Sequence, residues 1–226
     1  MPTLEDVLGT LDANSQAALD RLFQLVRIPS ISAQPAHFPD CDRAAEWLTA
    51  QLVELGFEAK TEPTAGRPMV LGACRAKTRD APHVLFYGHY DVQPVDPVSL
   101  WHSPPFEPQY VDGPHGKRFV ARGAVDDKGQ TVMFLEALRA WSVAGGGIPA
   151  RITVLLEGEE EVGSANLDAF LTANKAELAA DMALISDTGM WDVDTPAITT
   201  RLRGMTYAEV TLKAANRDLH SGLYGG

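Results

Sequence analysis

The sequence predicts an α/β fold, a three-layer sandwich with a largely parallel central sheet, on three observations. Helical segments alternate with short apolar runs along the chain. The runs are apolar on both faces, as strands buried between helices must be. Each run also passes directly into His, Glu or Asp residues. The first helix is expected over 15–27, where Leu19, Leu22, Phe23 and Val26 recur at helical spacing before Ile28-Pro29 stops it. A second is expected over 41–55 and ends at Gly56, a residue suited to the turn that closes a helix. The third covers 129–141 and stops before Gly145-Gly146-Gly147. Strands are expected at 84–87, 152–156 and 182–185.

With 226 residues, 45% of them hydrophobic, the chain has enough apolar surface for a sizeable core. A net charge of −11 argues against nucleic-acid binding, which needs clustered Lys and Arg. The start, Met1 to Asp6, lacks both the basic and the apolar stretch of a secretory signal. No segment approaches the roughly 20 apolar residues of a membrane span. A cytoplasmic protein with no membrane partner is therefore expected, and Cys41 and Cys74 are expected to be buried, reduced thiols. No Gly-x-Ser-x-Gly elbow is present, and the glycine triplet lacks the Lys-Ser/Thr ending of a phosphate loop. His37, His83, His102 and His115 are expected to lie in loops.

The residues after each strand carry the chemistry. Val84–Tyr87 leads into Gly88-His89-Tyr90-Asp91, 152–156 into Glu157-Gly158-Glu159-Glu160-Glu161, and 182–185 into Ser186-Asp187. In a parallel sheet the strand C-termini share one edge, so these groups converge on one crevice. Asp126-Asp127 adds a carboxylate pair just before the third helix. Residues i and i+2 of an extended segment point the same way, which lets Asp91 orient the His89 ring. Three adjacent buried carboxylates repel one another unless divalent cations neutralise them, which points to a metal site. Spacing alone does not separate Asp126 from Asp127, or Glu160 from Glu159.

At these positions the sequence resembles the two-zinc peptidases, the superfamily of carnosinase, cytosolic non-specific dipeptidase, glutamate carboxypeptidase, aminoacylase and succinyl-diaminopimelate desuccinylase. The likeness is greatest to the carnosinase and non-specific dipeptidase branch. It is carried by Tyr87 to Pro94, Trp101 with Pro105-Phe106, Arg122-Gly123 with Asp126 to Gly129, Leu156 to Gly158 with Glu160-Glu161, Ile185 to Asp187, and Asp218 to Gly222 with Tyr224-Gly225-Gly226. Tyr90 and Glu159 depart from the common pattern.

The resemblance implies hydrolysis of the amide bond of a dipeptide or N-acyl amino acid. Two zinc ions would share a water, with Mn2+ or Co2+ as alternatives. His89 and Asp187 would bind one ion, Glu161 the other, and Asp126 both. Glu160 would be the general base, Asp91 the partner of His89, and His220 would reach substrate in the other subunit of a homodimer. A cis peptide between Asp126 and Asp127 is implied as well. Residues 1–196 would form the N-terminal portion of the catalytic domain, and 197–226 the opening strand of a lid or dimerisation domain. The second ion would then take a further histidine from beyond residue 226. A non-catalytic binding protein and a two-metal phosphoesterase are the alternatives.

Overall fold

The computed structural model describes residues 2–75 and 80–224. Gly225-Gly226, the end of the last motif above, lie outside the described residues. The chain divides into two units, 1–196 and 197–226.

In the first unit the three expected helices form as α2 (Ser15–Val26), α3 (Phe38–Glu54) and α4 (Lys128–Val143). An additional helix, α1 (Leu4–Ala13), precedes them. Its start is fixed by a capping box, in which the Thr3 hydroxyl accepts from Asp6 N–H and the Asp6 carboxylate accepts from Thr3 N–H. Helix α3 begins three residues earlier than its apolar spacing predicts, because Pro39 fits the first turn of a helix without costing a hydrogen bond.

The central sheet has the order β1 (Glu58–Glu62), β2 (Met69–Cys74), β6 (Arg151–Glu157), β3 (His83–His89), β7 (Met182–Ile185). The three strands expected from sequence pair in parallel, β6 with β3 and β3 with β7. Strands β1 and β2 extend the sheet antiparallel beyond β6. Side chains alternate across it. Val70, Phe86, Val154 and Leu156 face the helices α2, α3 and α4. Met69, Leu71, Leu155, Leu85 and Tyr87 face the short helices α5 (Leu167–Ala173) and α6 (Lys175–Leu178), through Leu167, Phe170, Leu171 and Leu178. Helix, sheet and helix make the three layers.

Between β3 and α4 runs a hairpin, β4 (Gln109–Gly113) and β5 (Gly116–Val120), whose Phe119 packs edge-on against Phe23 of α2 with ring centroids 5.2 Å apart. Lys128, fully buried at the start of α4, donates to Leu25 O at 3.2 Å and Ile28 O at 2.6 Å. It thereby adds a second donor to carbonyls that already accept from Ile28 N–H and Ser30 N–H at the end of α2.

Three expectations are corrected. Strand β7 is apolar but exposed, with Met182 at 57% and Ile185 at 58%: it pairs only with β3, and no described residue covers it. His83 is no loop residue. It opens β3, is buried, and its Nε2 lies 2.8 Å from Thr153 Oγ1 across the strand pair. The expected opening strand from residue 197 onward does not form among the described residues 197–224, although Met205, Tyr207, Val210 and Leu212 carry β-type residues there. A strand exists only where its N–H and C=O groups find a ladder partner, and these four stand at 84–92% exposure.

Cys41 is buried as expected, and Cys74 is half-buried. Burial, with the Asp91 charge adding to it, pushes the Cys41 thiol up to about 12. Since its unfolded value is 9.0, the protonated thiol contributes stability that is intact below pH 9 and lost as pH climbs toward 12. A thiol reagent at pH 8 is expected to label Cys74 before Cys41, with Cys41 reacting only on unfolding. Equal native rates, read by peptide mass spectrometry, would contradict this packing.

Candidate metal centre

Register places the site. His89 closes β3 opposite Glu157 of β6, and Tyr87 pairs with Ile185 of β7, two residues before Asp187. Three parallel strands therefore present their following residues at one edge, which the α4 N-terminus joins with Asp126-Asp127.

His89 is fully buried, and its Nε2 lies 3.1 Å from Asp126 Oδ1 and 3.7 Å from Asp187 Oδ2. One nitrogen and two carboxylate oxygens, all within 4.8 Å of one another, form a set suited to a cation. Neighbouring ligands on a tetrahedral ion with bonds of about 2.0–2.2 Å stand about 3.4 Å apart, so the residues fit a zinc-sized ion with little movement. Glu161 is outside this group. Its Oε2 accepts from Gln93 Nε2 at 2.6 Å, and its backbone N–H points to Asp91 Oδ2 at 3.1 Å. His220 lies in the second unit, in a turn where its O accepts from Leu223 and Tyr224 N–H.

The adjacent acids, which spacing could not distinguish, take different places. Asp126 faces His89, whereas Asp127 is buried and its Oδ2 accepts from His89 N–H at 3.1 Å and from the Thr131 hydroxyl at 3.3 Å. Burial holds the Asp127 carboxyl up at about 6. The peptide between the two is cis. Glu159 turns away from the cluster and accepts from Asn166 Nδ2 at 2.6 Å. Glu160 stays at the cluster, its carboxyl raised first by burial and then by the charges of Asp187, Asp91 and Asp126, against His89.

Two glycines permit this packing by close approach. A Cβ on Gly88 would lie 2.6 Å from Asp127 Oδ2 and 2.9 Å from Thr131 Oγ1. One on Gly158 would lie 2.3 Å from the hydroxyl of Tyr90, which donates to Pro68 O. The unusual Tyr90 is thus accommodated beside Gly158 in the core.

Burial disfavours the charged form of His89, but the Asp91 carboxylate, with Asp127 and Glu160, outweighs it and lifts the ring to about 10. A proton on Nε2 then stands between His89 and Asp126, where a cation would bind. Zinc uptake is expected to release protons and to tighten as pH rises toward about 10. Calorimetry in buffers of different ionisation heats checks this, and identical heats in all buffers would refute it.

The profile of "Peptidase family M20/M25/M40" matches residues 85–219, a stretch that contains His89, Asp91, Asp126, Asp127, Glu160, Glu161 and Asp187 and ends just before His220. The chain belongs to this family. It is similar to a cysteinylglycine-S-conjugate dipeptidase of Corynebacterium striatum, at 34% identity over 96% of this chain and 47% of that protein. Among solved structures it is similar to human carnosine dipeptidase 1, with TM-score 0.76 and 28% identity over 84% of this chain and 42% of that one. It is also similar to the dipeptidase Dug1p of Saccharomyces cerevisiae, with TM-score 0.74 and 25% identity over 83% and 42%. The chain spans under half the length of these relatives. Among the described residues no helix is long and apolar enough to cross a membrane.

Two polar partners of this M20 site escaped the sequence reading, Gln93 on Glu161 and Ser32 on Asp91. Gln93 lies within the motif that begins at Tyr87. Ser32 carries no local signal, being 59 positions from its partner.

Proposed function

We propose that the full-length protein is a metal-dependent dipeptidase, hydrolysing the amide bond of a dipeptide or related N-acyl amino acid. The observation that carries this reading is the convergence of His89 Nε2, Asp126 and Asp187 beside Glu160, in a chain of the M20 family. His89, Asp126 and Asp187 would hold one zinc ion, and Asp126 with Glu161 would contribute to a second. The chemistry a bound ion would supply there is a water whose pKa falls from 15.7 toward about 7, and a polarised scissile carbonyl. Glu160 takes the proton of the attacking water and returns it to the leaving amine, a role suited to a carboxyl whose affinity for the proton is raised by its surroundings. Beside Asp126 and Asp187 a groove of about 690 Å³, lined by Leu19, Leu22, Phe119, Val125 and Met133, gives room for an apolar substrate group.

The dipeptidase names of the relatives support a dipeptide over a phosphate ester. Residues 197–226 would begin a lid and dimerisation domain, with His220 reaching substrate in the other protomer of a homodimer. Free Cys41 and Cys74 suit the reducing cytoplasm. The test is hydrolysis of a dipeptide panel and of p-nitrophenyl phosphate by the full-length protein, before and after chelation. Cleavage of dipeptides that stops on chelation and returns with zinc is expected. Chelator-insensitive cleavage, or phosphate release alone, would overturn the reading.

A further inference from the structure

Asp91 has more to hold than its histidine. Its carboxylate is fully buried. His89 Nδ1 lies 3.1 Å from Asp91 O and 3.4 Å from Oδ1; Oδ1 accepts from Glu160 N–H at 3.2 Å, while Oδ2 accepts from Glu161 N–H at 3.1 Å. One carboxylate thus sets both the imidazole and the backbone of the turn that carries the two glutamates. Its own orientation needs a further anchor, because rotation about the Cβ–Cγ bond would release the carboxylate's contacts together and leave His89 only the Asp91 carbonyl.

That anchor comes from the segment after α2. Ser30 O accepts from Val92 N–H at 2.9 Å, Ile31 forms a parallel bridge with Val92, and the Ser30 hydroxyl donates to Tyr90 O at 2.6 Å. This buried strut runs beside 90–92 and delivers the Ser32 hydroxyl to Asp91 Oδ2 at 2.5 Å. Lys128 fixes its root through Ile28 O.

We propose that Ser32 is a positioning residue of the metal centre, locking the Asp91 carboxylate that aligns His89 and the Glu160–Glu161 turn. As a role in catalysis this rests on the dipeptidase reading; as a role in metal binding it does not. Partners one step removed from a metal ligand typically contribute about 10–100-fold to its affinity.

The test is competitive zinc titration of the wild-type chain, Ser32→Ala, Ser32→Thr and Thr153→Val, with kinetics of the same variants in the full-length protein. Ser32→Ala is expected to weaken zinc binding by up to about tenfold, the lower end of the range for Asp91 itself, because Ser32 acts through that partner. Ser32→Thr, which keeps the hydroxyl, should restore most of it. Thr153→Val removes an equally buried hydroxyl, one that meets His83 and not the Asp91 carboxylate, and should leave zinc affinity unchanged. At saturating zinc, Ser32→Ala should lower kcat with little change in KM. Should Ser32→Ala not fold, Ser32→Cys keeps the volume with a weaker donor and carries the same expectation. Unchanged zinc affinity on losing the Ser32 hydroxyl, an equal loss in Thr153→Val, or a wild-type chain that takes up no zinc would overturn the proposal. Zinc binding that depends on Ser32 in a protein that cleaves no dipeptide would overturn the activity and leave the Ser32 role standing.

Discussion

Glu160→Gln is expected to lower dipeptide hydrolysis by the full-length protein by about 10²–10⁴-fold, the contribution typical of a general base, while zinc content stays near that of the wild type. The amide keeps the size of the carboxylate and cannot accept the proton. Glu160 holds its place through its backbone N–H on Asp91, which the substitution leaves untouched. The geometry also places it outside the His89, Asp126 and Asp187 group that would take the ion. Activity and metal content measured on one preparation separate the two roles. Zinc lost along with activity would make Glu160 a ligand, and the reading of the two adjacent glutamates would have to be exchanged.

The second large effect separates Asp126 from Asp127. Asp126→Ala is expected to weaken zinc binding by more than about 100-fold, beyond what loss of an outlying partner costs, with little loss of fold stability. Its side chain is 55% exposed, and the contact it loses with His89 is offset by relief of its charge from Asp187, within 4.8 Å. Asp127→Ala should act on the fold instead. It deprives the buried His89 N–H and the Thr131 hydroxyl of their acceptor, at a cost of about 1–3 kcal/mol. Thermal melts of the zinc-free proteins, set beside zinc titrations, decide it. Equal destabilisation by both substitutions, or retained zinc affinity in Asp126→Ala, would contradict the assignment.

The sequence by itself determined the three parallel strands, the helices α2, α3 and α4, and the residues gathered at the strand ends. These are local matters: apolar runs define buried strands, 3.6-residue spacing defines helices, and a residue following a strand must lie at its C-terminal edge. Strands β1 and β2 were not legible, because Glu58–Glu62 is polar at four of its five positions and Met69–Cys74 has no flanking functional motif to mark it. Their place in the sheet comes from pairing with β6, a contact remote in sequence. The exposed edge at β7 is likewise decided by which strands find neighbours, not by the strand's own composition.

At the site, sequence supplied the residue types and the resemblance supplied their roles. Tertiary structure decided which of two adjacent acids faces the imidazole. Asp126 and Asp127 have the same chemistry and differ by one position, so only the backbone path into α4, with room made at Gly88, sends one toward His89 and the other beneath it. Glu159 and Glu160 divide in the same way, through Asn166 on one side and Asp91 on the other. Ser32 belongs wholly to this second kind. A serine hydroxyl can pair with many acceptors, and its choice of Asp91 exists only because the chain after α2 is drawn alongside the end of β3. Side-chain identity states what chemistry is available, while long-range packing selects which atoms meet.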